Sequence, residues 1–281
     1  MNLVLKNKYS TCTSKGVLSK GWYIDPITGI DYLVKGNSFC YVQTRRGYQC
    51  VGNYEPYSEV MASRIGRLLG IDCVEYTLEP SCNFPEIDVY DVQHVSVCKK
   101  IDLQPDDEMI SFYTFLKFLP GNISHCWPSI PDSPISDNIY KMLILDAFIG
   151  NEDRHLNNWD IIKSRKNGFK YAPLLDFGAS LLARKTDIEI SEKKTIVSDR
   201  SRPFKQTHVE QVAMIKNKFN KKFIDIQDKE IFHKLLLKEI DDVLSLLDSN
   251  RANAISKYLN DRFVYLEDFI KRIDYDKNNE Q

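Results

Sequence analysis

The sequence predicts an α+β fold with a small β-rich N-lobe and a larger, mainly helical C-lobe. Turn signals separate short alternating segments in the first part of the chain, which is typical of strands. From about Leu103 onward, apolar residues recur at the spacing of amphipathic helices. A group of acidic and amide side chains follows one of these helices. We therefore expect two lobes, with residues 1–101 in the first and residues 102–281 in the second.

Composition and charge exclude several classes of protein. The chain has 281 residues, of which 43% are hydrophobic and 27% charged, and this is enough for a sizeable core. A net charge of −1 provides no generally basic surface, so direct binding of nucleic acid is not expected. The longest strongly apolar stretch, residues 142–149, contains Asp146 and is too short to span a bilayer.

The cysteines and the N-terminus favour the cytoplasm. The seven cysteines are odd in number and form no C-x-x-C, which favours reduced thiols over disulfides or a zinc site. The first residues lack the apolar core of a signal peptide. We expect a cytoplasmic protein without membrane association, and release by a non-classical route stays open.

Strand and turn signals organise the first lobe. The segment Gly21–Val34 carries turn dipeptides between two aromatic-bearing segments and therefore predicts a β-hairpin. Apolar residues at helical spacing predict a helix over Tyr57–Leu69, which we expect Ser58 to cap and Gly70 to end. The other predicted elements of this lobe are a hairpin within Phe39–Val51 and strands over Ile71–Leu78 and Val89–Ile101.

Helical periodicity dominates the second lobe. The predicted helices are Asp107–Leu119, Ser136–Ile149, Thr207–Phe219, Lys229–Leu247 and Arg251–Ile273. Trp159–Ile162 and Tyr171–Leu175 have the character of short strands. Trp127–Pro134 is rich in proline and predicts a loop, and the polar segment Ser191–Lys205 is expected to be mobile.

Two motifs after the Ser136–Ile149 helix contain the chemically informative residues. The first runs from Gly150 to Asn158 and the second is Asp176-Phe177-Gly178. Asp153 and Asn158 have the spacing that protein kinases use in H-R-D-x-x-x-x-N, where the Asp accepts the hydroxyl proton and the Asn binds a metal ion. Asp176 stands where the D-F-G aspartate binds Mg²⁺, a hard cation that prefers oxygen ligands.

The order of residues inside the first motif distinguishes between groups of kinases. It reads Asp-Arg-His, and G-N-x-D-R-H-x-x-N followed by P-L-L-D-F-G resembles the HipA-like serine/threonine kinases of bacteria. It is also similar to the G-x-x-D-R-H-x-x-N of phosphatidylinositol kinases. The resemblance implies a bilobed protein-kinase-like fold that uses ATP and Mg²⁺. It further implies Asp153 as the base, with Asn158 and Asp176 as Mg²⁺ ligands.

The first lobe should supply the residues that bind the phosphates. Such a site needs a strand lysine held by a helix glutamate. Lys35 ends a predicted strand, and Glu59 lies in Y-S-E-V-M-A-S, which resembles the S-E-x-x-A-S helix of HipA-like kinases. Other lysines that compete for this role are Lys20, Lys99 and Lys100. The resemblance also implies a phosphate-covering loop over Tyr9–Gly21, with Lys15 at the nucleotide. Ser10, Ser14 or a neighbouring Thr would be an autophosphorylation site, and a plain solvated loop is the alternative for each of these residues.

Three further regions have roles that the resemblance implies. The backbone from Cys98 to Lys100 would contact adenine, although the Cys98 side chain is equally well read as a small apolar strand residue. Arg154 and His155 would support the catalytic loop at the nucleotide, and His155 as a general base stays an alternative. Phe177 would pack and Gly178 would act as a hinge. A further signature of the family covers Ser201–Phe204 and Glu210-Gln211, with no clear role.

These residues together predict an ATP- and Mg²⁺-dependent protein serine/threonine kinase of HipA-like type, of the compact stand-alone kind. Members of the family act as toxins or effectors, and several of them target translation components. The resemblance therefore implies a protein substrate with a Ser/Thr acceptor, which could be a translation component. It also implies a possible antitoxin partner. The alternatives are a nucleotide-binding pseudokinase, a lipid or small-molecule kinase, and a metal-dependent hydrolase that works without ATP.

Overall fold

The computed structural model describes residues 2–9, 18–44, 47–118, 134–166, 168–192, 200–202, 206–218 and 229–278. The strands are Val4–Tyr9 (β1), Lys20–Ile24 (β2), Asp31–Lys35 (β3), Phe39–Thr44 (β4), Gly47–Gly52 (β5), Tyr76–Pro80 (β6), His94–Lys99 (β7), Asp107–Ser111 (β8), Asp160–Ser164 (β9), Gly168–Tyr171 (β10), Arg200–Ser201 (β11) and Gln206–Thr207 (β12). The helices are Glu55–Leu68 (α1), Phe112–Leu116 (α2), Pro134–Ile149 (α3), Asp187–Glu192 (α4), His208–Lys218 (α5), Lys229–Leu244 (α6) and Ser249–Asn278 (α7). Lys15, Ser10, Ser14 and most of the proline-rich loop lie outside the described residues.

The N-lobe is built on an antiparallel sheet in the order β1-β2-β3-β7-β6. Val34 in β3 lies opposite Gly21 on one side and Val97 on the other. Tyr23, Val34 and Val97 belong to a buried cluster on this sheet. The predicted hairpin is confirmed, because β2 pairs with β3 and the Gly29 N–H donates to the Asp25 carbonyl at 2.8 Å. The second predicted hairpin is also confirmed as β4 and β5.

Helix α1 is the principal helix of the N-lobe, and its start differs from the prediction. Glu55 and Pro56 open the helix after Tyr54, so Ser58 lies inside the first turns and is not the cap. Proline suits this position because the first helical N–H groups have no partner inside the helix. Gly70 lies just beyond the end of the helix and has φ of +71°. Many helices end with a residue in this left-handed conformation, which glycine adopts without strain.

The C-lobe surrounds helix α3, which is buried along most of its length. Apolar residues of α3, including Ile139, Leu143 and Ile149, share one core with residues of α6 and α7. Gly150 ends this helix with φ of +67°, and a Cβ there would lie 2.0 Å from the Tyr258 hydroxyl. Glycine at this position therefore lets the chain turn sharply into the loop that contains Asp153.

Several predicted elements are corrected by the structure. The predicted helix Asp107–Leu119 is wrong, because Asp107–Ser111 pairs with β9 as a strand and the short helix α2 begins only at Phe112. Ser111 caps α2 by accepting the Thr114 N–H. The predicted strand Ile71–Leu78 begins only at Tyr76, and the strand within Val89–Ile101 is confined to β7.

The elements nearest the two ends of the chain also differ from the prediction. Strand β1 was not predicted, although its pairing with β2 extends the sheet. In the described parts of Ser191–Lys205, α4 reaches Glu192 and Arg200–Ser201 pairs with β12, while the predicted mobility of the segment stays a prediction. The C-terminal helices are confirmed with shifted ends, α7 continuing to Asn278. Within the described residues, no helix is both long enough and apolar enough to cross a membrane.

Candidate active site

A buried ion-pair cluster joins the two lobes at Lys35. The Lys35 Nζ lies 2.8 Å from Glu59 Oε1 in α1 and 3.0 Å from Asp176 Oδ1 in the second lobe. It also donates to the Tyr76 hydroxyl at 3.3 Å. The side chains of Lys35 and Glu59 are 6% and 1% exposed, whereas that of Asp176 is 33% exposed. Asp176 is therefore more accessible than Lys35 and Glu59.

Burial and neighbouring charges have opposite effects on the pKa values of this cluster. Burial disfavours the charged form of Lys35, but Asp176 and Glu59 outweigh it and raise the pKa of Lys35 well above its usual value. Burial raises the pKa of Glu59 despite the nearby Lys35. Burial also acts to raise the pKa of Asp176, yet the Lys35 ammonium lowers that pKa to about 2. Lys35 and Asp176 are thus an ion pair at neutral pH.

Helix α1 holds the segment that contains Asp176. The Phe177 N–H donates to Glu59 Oε2 at 2.8 Å, so one carboxylate binds both the lysine and this segment. The Ser58 hydroxyl lies 2.8 Å from the Phe177 carbonyl and 2.9 Å from the Ser180 carbonyl. A Cβ at Gly178 would lie 3.2 Å from the Glu55 side chain, so glycine allows the close approach. The position of the segment Asp176–Ser180 is therefore fixed by its contacts with α1.

Asp176 has an unusual backbone conformation. Its φ is +66°, in the left-handed region that residues other than glycine rarely adopt. Its N–H faces the Tyr76 hydroxyl at 3.4 Å. Such conformations persist only where the surroundings impose them, and they are frequent at functional sites. The bonds from α1 and Tyr76 impose this one.

A fully buried ion pair shapes the loop that contains Asp153. Arg154 donates to both carboxylate oxygens of Asp146 in α3, from Nε at 2.9 Å and from Nη2 at 3.1 Å, and both side chains are 0% exposed. Asn151 adds a bond from Nδ2 to Asp146 Oδ1 at 3.1 Å. Bidentate pairs of this kind fix geometry as well as charge. Asp146 thereby positions the residues on both sides of Asp153.

The same arginine ties the loop to the second motif. Arg154 Nη1 donates to the Asn158 carbonyl at 2.7 Å and to the Leu175 carbonyl, and its guanidinium lies 5.1 Å from the centre of the Phe177 ring. Leu174, next in the chain, exchanges backbone hydrogen bonds with Asp72 and Val74 of the N-lobe. Asn158 and the residue before Asp176 are thus connected through one buried side chain.

The Asp153 carboxylate contacts two arginines that follow the second motif. Arg184 Nη1 donates to Oδ2 at 3.0 Å. Arg202 lies 3.1 Å from Oδ1 without hydrogen-bond geometry. The Asp153 side chain is 20% exposed, although its Oδ1 atom is buried. Arg202 belongs to the segment Ser201–Phe204, for which the resemblance implies no clear role.

His155 and Asn158 lie on the same loop as Asp153. Asn158 Nδ2 donates to the Asp153 carbonyl at 2.8 Å, and its amide oxygen is the atom with affinity for a hard cation. The His155 Nδ1 accepts the Asn157 N–H at 3.2 Å, which places the proton of the neutral ring on Nε2. That bond and the one from the His155 N–H to the Asp153 carbonyl describe a residue that supports the loop.

The segment proposed for adenine contacts is partly occupied by the sheet. Cys98 pairs with Leu33 on one side and with Tyr76 on the other, and the Lys100 N–H donates to the Asp31 carbonyl at 2.9 Å. Burial raises the pKa of the Cys98 thiol to about 11, so the side chain is neutral. The predicted adenine contact remains a prediction and would use backbone groups beyond these bonds. Lys15, the other predicted nucleotide residue, lies outside the described residues.

The oxygen atoms of Asp176 and Asn158 suit the chemistry of a magnesium ion. Among them, no group of three His, Cys, Asp or Glu side chains is placed to hold a metal ion. Mg²⁺ typically takes one or two protein oxygens and completes its octahedron with phosphate oxygens and water. The half-exposed Asp176 carboxylate and the Asn158 amide provide oxygens of the right chemistry.

Some residues of the site were not predicted from the sequence. Tyr76 and Glu55 carry no motif, and Arg184 follows the second motif at no recognisable spacing. Asp146 did leave a signal, because an ionisable residue inside a strongly apolar helix needs a partner. That partner is Arg154, the residue that the resemblance assigns to support of the loop.

Comparison with known proteins places this geometry in a fold class. The sequence itself matches no protein-family model and no curated protein. The fold is similar to that of the Helicobacter pylori proinflammatory kinase CtkA, with a TM-score of 0.55 and 15% identity, over 92% of this chain and 91% of that chain. A HipA chain, solved in the Shewanella oneidensis MR-1 toxin–antitoxin complex of HipA, HipB and operator DNA, gives a TM-score of 0.48 and 12% identity over 96% of this chain and 67% of that chain.

The chain therefore has a kinase-like α+β fold. The predicted β-rich N-lobe and mainly helical C-lobe are confirmed, and the fold resembles that of a protein described as a kinase. The roles of the individual residues and the boundary after residue 101 stay predictions.

Proposed function

We propose that this protein is an ATP- and Mg²⁺-dependent protein serine/threonine kinase. The observation that supports this most directly is the contact of Lys35 with both Glu59 and Asp176, at 2.8 and 3.0 Å. Kinases use a strand lysine held by a helix glutamate, beside a metal-binding aspartate. Here that arrangement spans both lobes and lies on the fold of a kinase.

Each residue of the site has a proposed task. Lys35 binds the phosphates of ATP, and Glu59 orients Lys35. Asp176 and Asn158 hold Mg²⁺, which when bound neutralises the negative charge that develops on the phosphates. Asp153 orients the acceptor hydroxyl and takes its proton. Asp146 and Arg154 act through the loop, by fixing where Asp153 and Asn158 lie.

The acceptor class is inferred from the fold and the motifs. A protein with a Ser or Thr hydroxyl is the proposed substrate, since this fold resembles that of a protein described as a kinase and the loop motif resembles serine/threonine kinases. An antitoxin partner and a role as toxin or effector belong to the same proposal. A bacterial cytoplasmic location accompanies it.

Intact mass spectrometry with ATP and Mg²⁺ tests the proposal. The purified protein should gain phosphate on itself or transfer it to an added protein fraction, and Asp153→Asn should do neither. We expect the variant to retain nucleotide binding, measured as a thermal shift, because Asp153 contributes to transfer and not to the fold. Equal turnover by wild type and Asp153→Asn would remove the proposed base.

Three controls separate the alternatives. A pseudokinase would bind ATP without transferring phosphate to any acceptor. A lipid or small-molecule kinase would label phosphoinositides or small hydroxyl compounds in place of protein. A metal-dependent hydrolase would act on its substrate with ATP left out.

A further inference from the structure

Arg184 connects the N-lobe to the proposed base. Its Nε lies 3.3 Å from Glu55 Oε1 and its Nη1 lies 3.0 Å from Asp153 Oδ2. Glu55 is buried, and Ser38 donates to its two oxygens from the backbone at 3.1 Å and from the hydroxyl at 2.5 Å. The guanidinium is thus anchored at one end by a carboxylate that is itself fixed, independently of Asp153.

The contacts of Asp153 create a conflict with its proposed task. An acceptor hydroxyl has to reach one of the two carboxylate oxygens. Arg184 lies against Oδ2 and Arg202 lies against Oδ1. Because Oδ1 is itself buried, a hydroxyl that approaches the carboxylate at Oδ2 competes with Arg184 Nη1 for that oxygen.

The charge of the site indicates where a guanidinium would go. Lys35 is already paired with two carboxylates, so it has limited capacity to neutralise further phosphate charge. Guanidinium groups match phosphate oxygens in geometry and charge. Arg184 is the anchored cation of the pair at Asp153, whereas the Arg202 side chain is 64% exposed.

We propose that Arg184 is a catalytic residue that binds the terminal phosphoryl group of the nucleotide through Nη1 while Nε stays on Glu55. This inference rests on the proposed function. In the transfer, a bond forms between the acceptor oxygen and the terminal phosphorus, and the bond from that phosphorus to the bridging oxygen breaks. The electron pair of the broken bond stays on ADP, and the proton of the acceptor hydroxyl goes to the Asp153 oxygen that Arg184 has released. The cation then faces the charge of the group in transit.

Calorimetric binding of two nucleotides tests the assignment without turnover. The ligands are the non-hydrolysable triphosphate adenylyl imidodiphosphate with Mg²⁺ and ADP with Mg²⁺. In Arg184→Gln we expect the triphosphate affinity to fall about 10- to 100-fold, the range for a lost hydrogen bond to a charged group, while the ADP affinity changes less than about twofold. Arg184→Lys should recover part of the loss. Arg67→Gln, which removes a surface arginine paired with Glu75 at 2.7 Å, is the matched control and should bind both ligands as the wild type does.

The outcomes separate the inference from the function on which it rests. If Arg184→Gln loses both affinities equally and unfolds at a lower temperature, the arginine only positions the loop and the inference is overturned. Unchanged triphosphate binding with normal turnover also overturns it, and leaves the kinase proposal standing. If the wild type binds neither nucleotide, the proposed function fails together with the inference.

Discussion

Lys35 is the cation between two carboxylates of different lobes, Glu59 and Asp176. Lys35→Met keeps the length of the side chain and leaves Glu59 with an uncompensated buried charge. We expect loss of productive ATP binding and a free energy of unfolding lower by about 3–5 kcal/mol, the usual effect of removing one partner of a buried pair.

Chemical denaturation and an ATP-dependent transfer assay measure the two effects. Lys163→Met is the matched control, since Lys163 pairs with Glu108 at 3.6 Å on the surface and its side chain is 43% exposed. A stable Lys35→Met protein with normal kcat/KM would point to another lysine for the phosphates.

The low pKa of Asp176 predicts a pH dependence of stability. This carboxyl has a pKa of about 2 when folded and an ordinary value of 3.8. The unfolded chain therefore takes up protons first as the pH falls, so the stabilising contribution of Asp176 is complete above about pH 4 and is lost towards pH 2. Urea unfolding of wild type and Asp176→Asn across this range should show the wild type losing stability more steeply. Parallel curves would contradict the pairing with Lys35.

Prediction from sequence worked best for residues whose chemical type the reaction requires. Asp153, Asn158, Asp176, Lys35 and Glu59 were found as candidates because phosphate and magnesium need those groups at those spacings. Arg184 could not be found in this way, since its position depends on how the chain after Gly178 folds back over α1. Tyr76 was equally invisible, because its hydroxyl reaches Lys35 only once β6 is paired with β7.

At the scale of elements, helix α1 contacts the N-lobe sheet, the second motif and the C-lobe. Its Glu59 contacts β3, its Ser58 contacts the turn at Phe177, and its Arg64 donates to Asp242 in α6. A shift of this helix would therefore displace Asp176 as well as Glu59.

Ser58→Ala tests that dependence. The change removes the hydroxyl that contacts the Phe177 and Ser180 carbonyls, each of which keeps one backbone donor. We therefore expect a loss of about 1 kcal/mol in the free energy of unfolding and a lower kcat. Thermal or urea unfolding and a transfer assay provide the measurements. In the control Ser256→Ala, the lost bond is to Ala252 within helix α7, and stability should change by less than about 0.5 kcal/mol. Equal effects of the two changes would argue against a special role for Ser58.

Elements were predicted well where local pattern and tertiary contacts agree. The turn chemistry around Asp25 and the apolar character of α3 are local properties, and both regions folded as predicted. Asp107–Ser111 has a helical pattern but forms a strand, because β9 supplies backbone partners that lie far away in the sequence. Strand propensity depends on such neighbours more than helix propensity does.

At the scale of the whole molecule, the main core does not stop at the expected lobe boundary. Residues of α1, such as Val60 and Ile65, belong to the same buried cluster as Leu143 of α3 and Leu259 of α7. We therefore expect unfolding in a single cooperative transition, with the calorimetric enthalpy equal to the van 't Hoff enthalpy. Scanning calorimetry checks this, and two resolved transitions would show that the lobes are independent.

The buried pair of Asp146 and Arg154 has a consequence for how such a chain changes during evolution. These two side chains support the loop from inside, whereas Asp153 performs its proposed chemistry at the accessible surface of the same loop. A descendant that lost Asp153 would keep its shape, and selection could preserve it for binding alone. A descendant that lost Asp146 would leave Arg154 charged and unpaired in the interior, and would be removed from the population as a folding defect before its activity mattered.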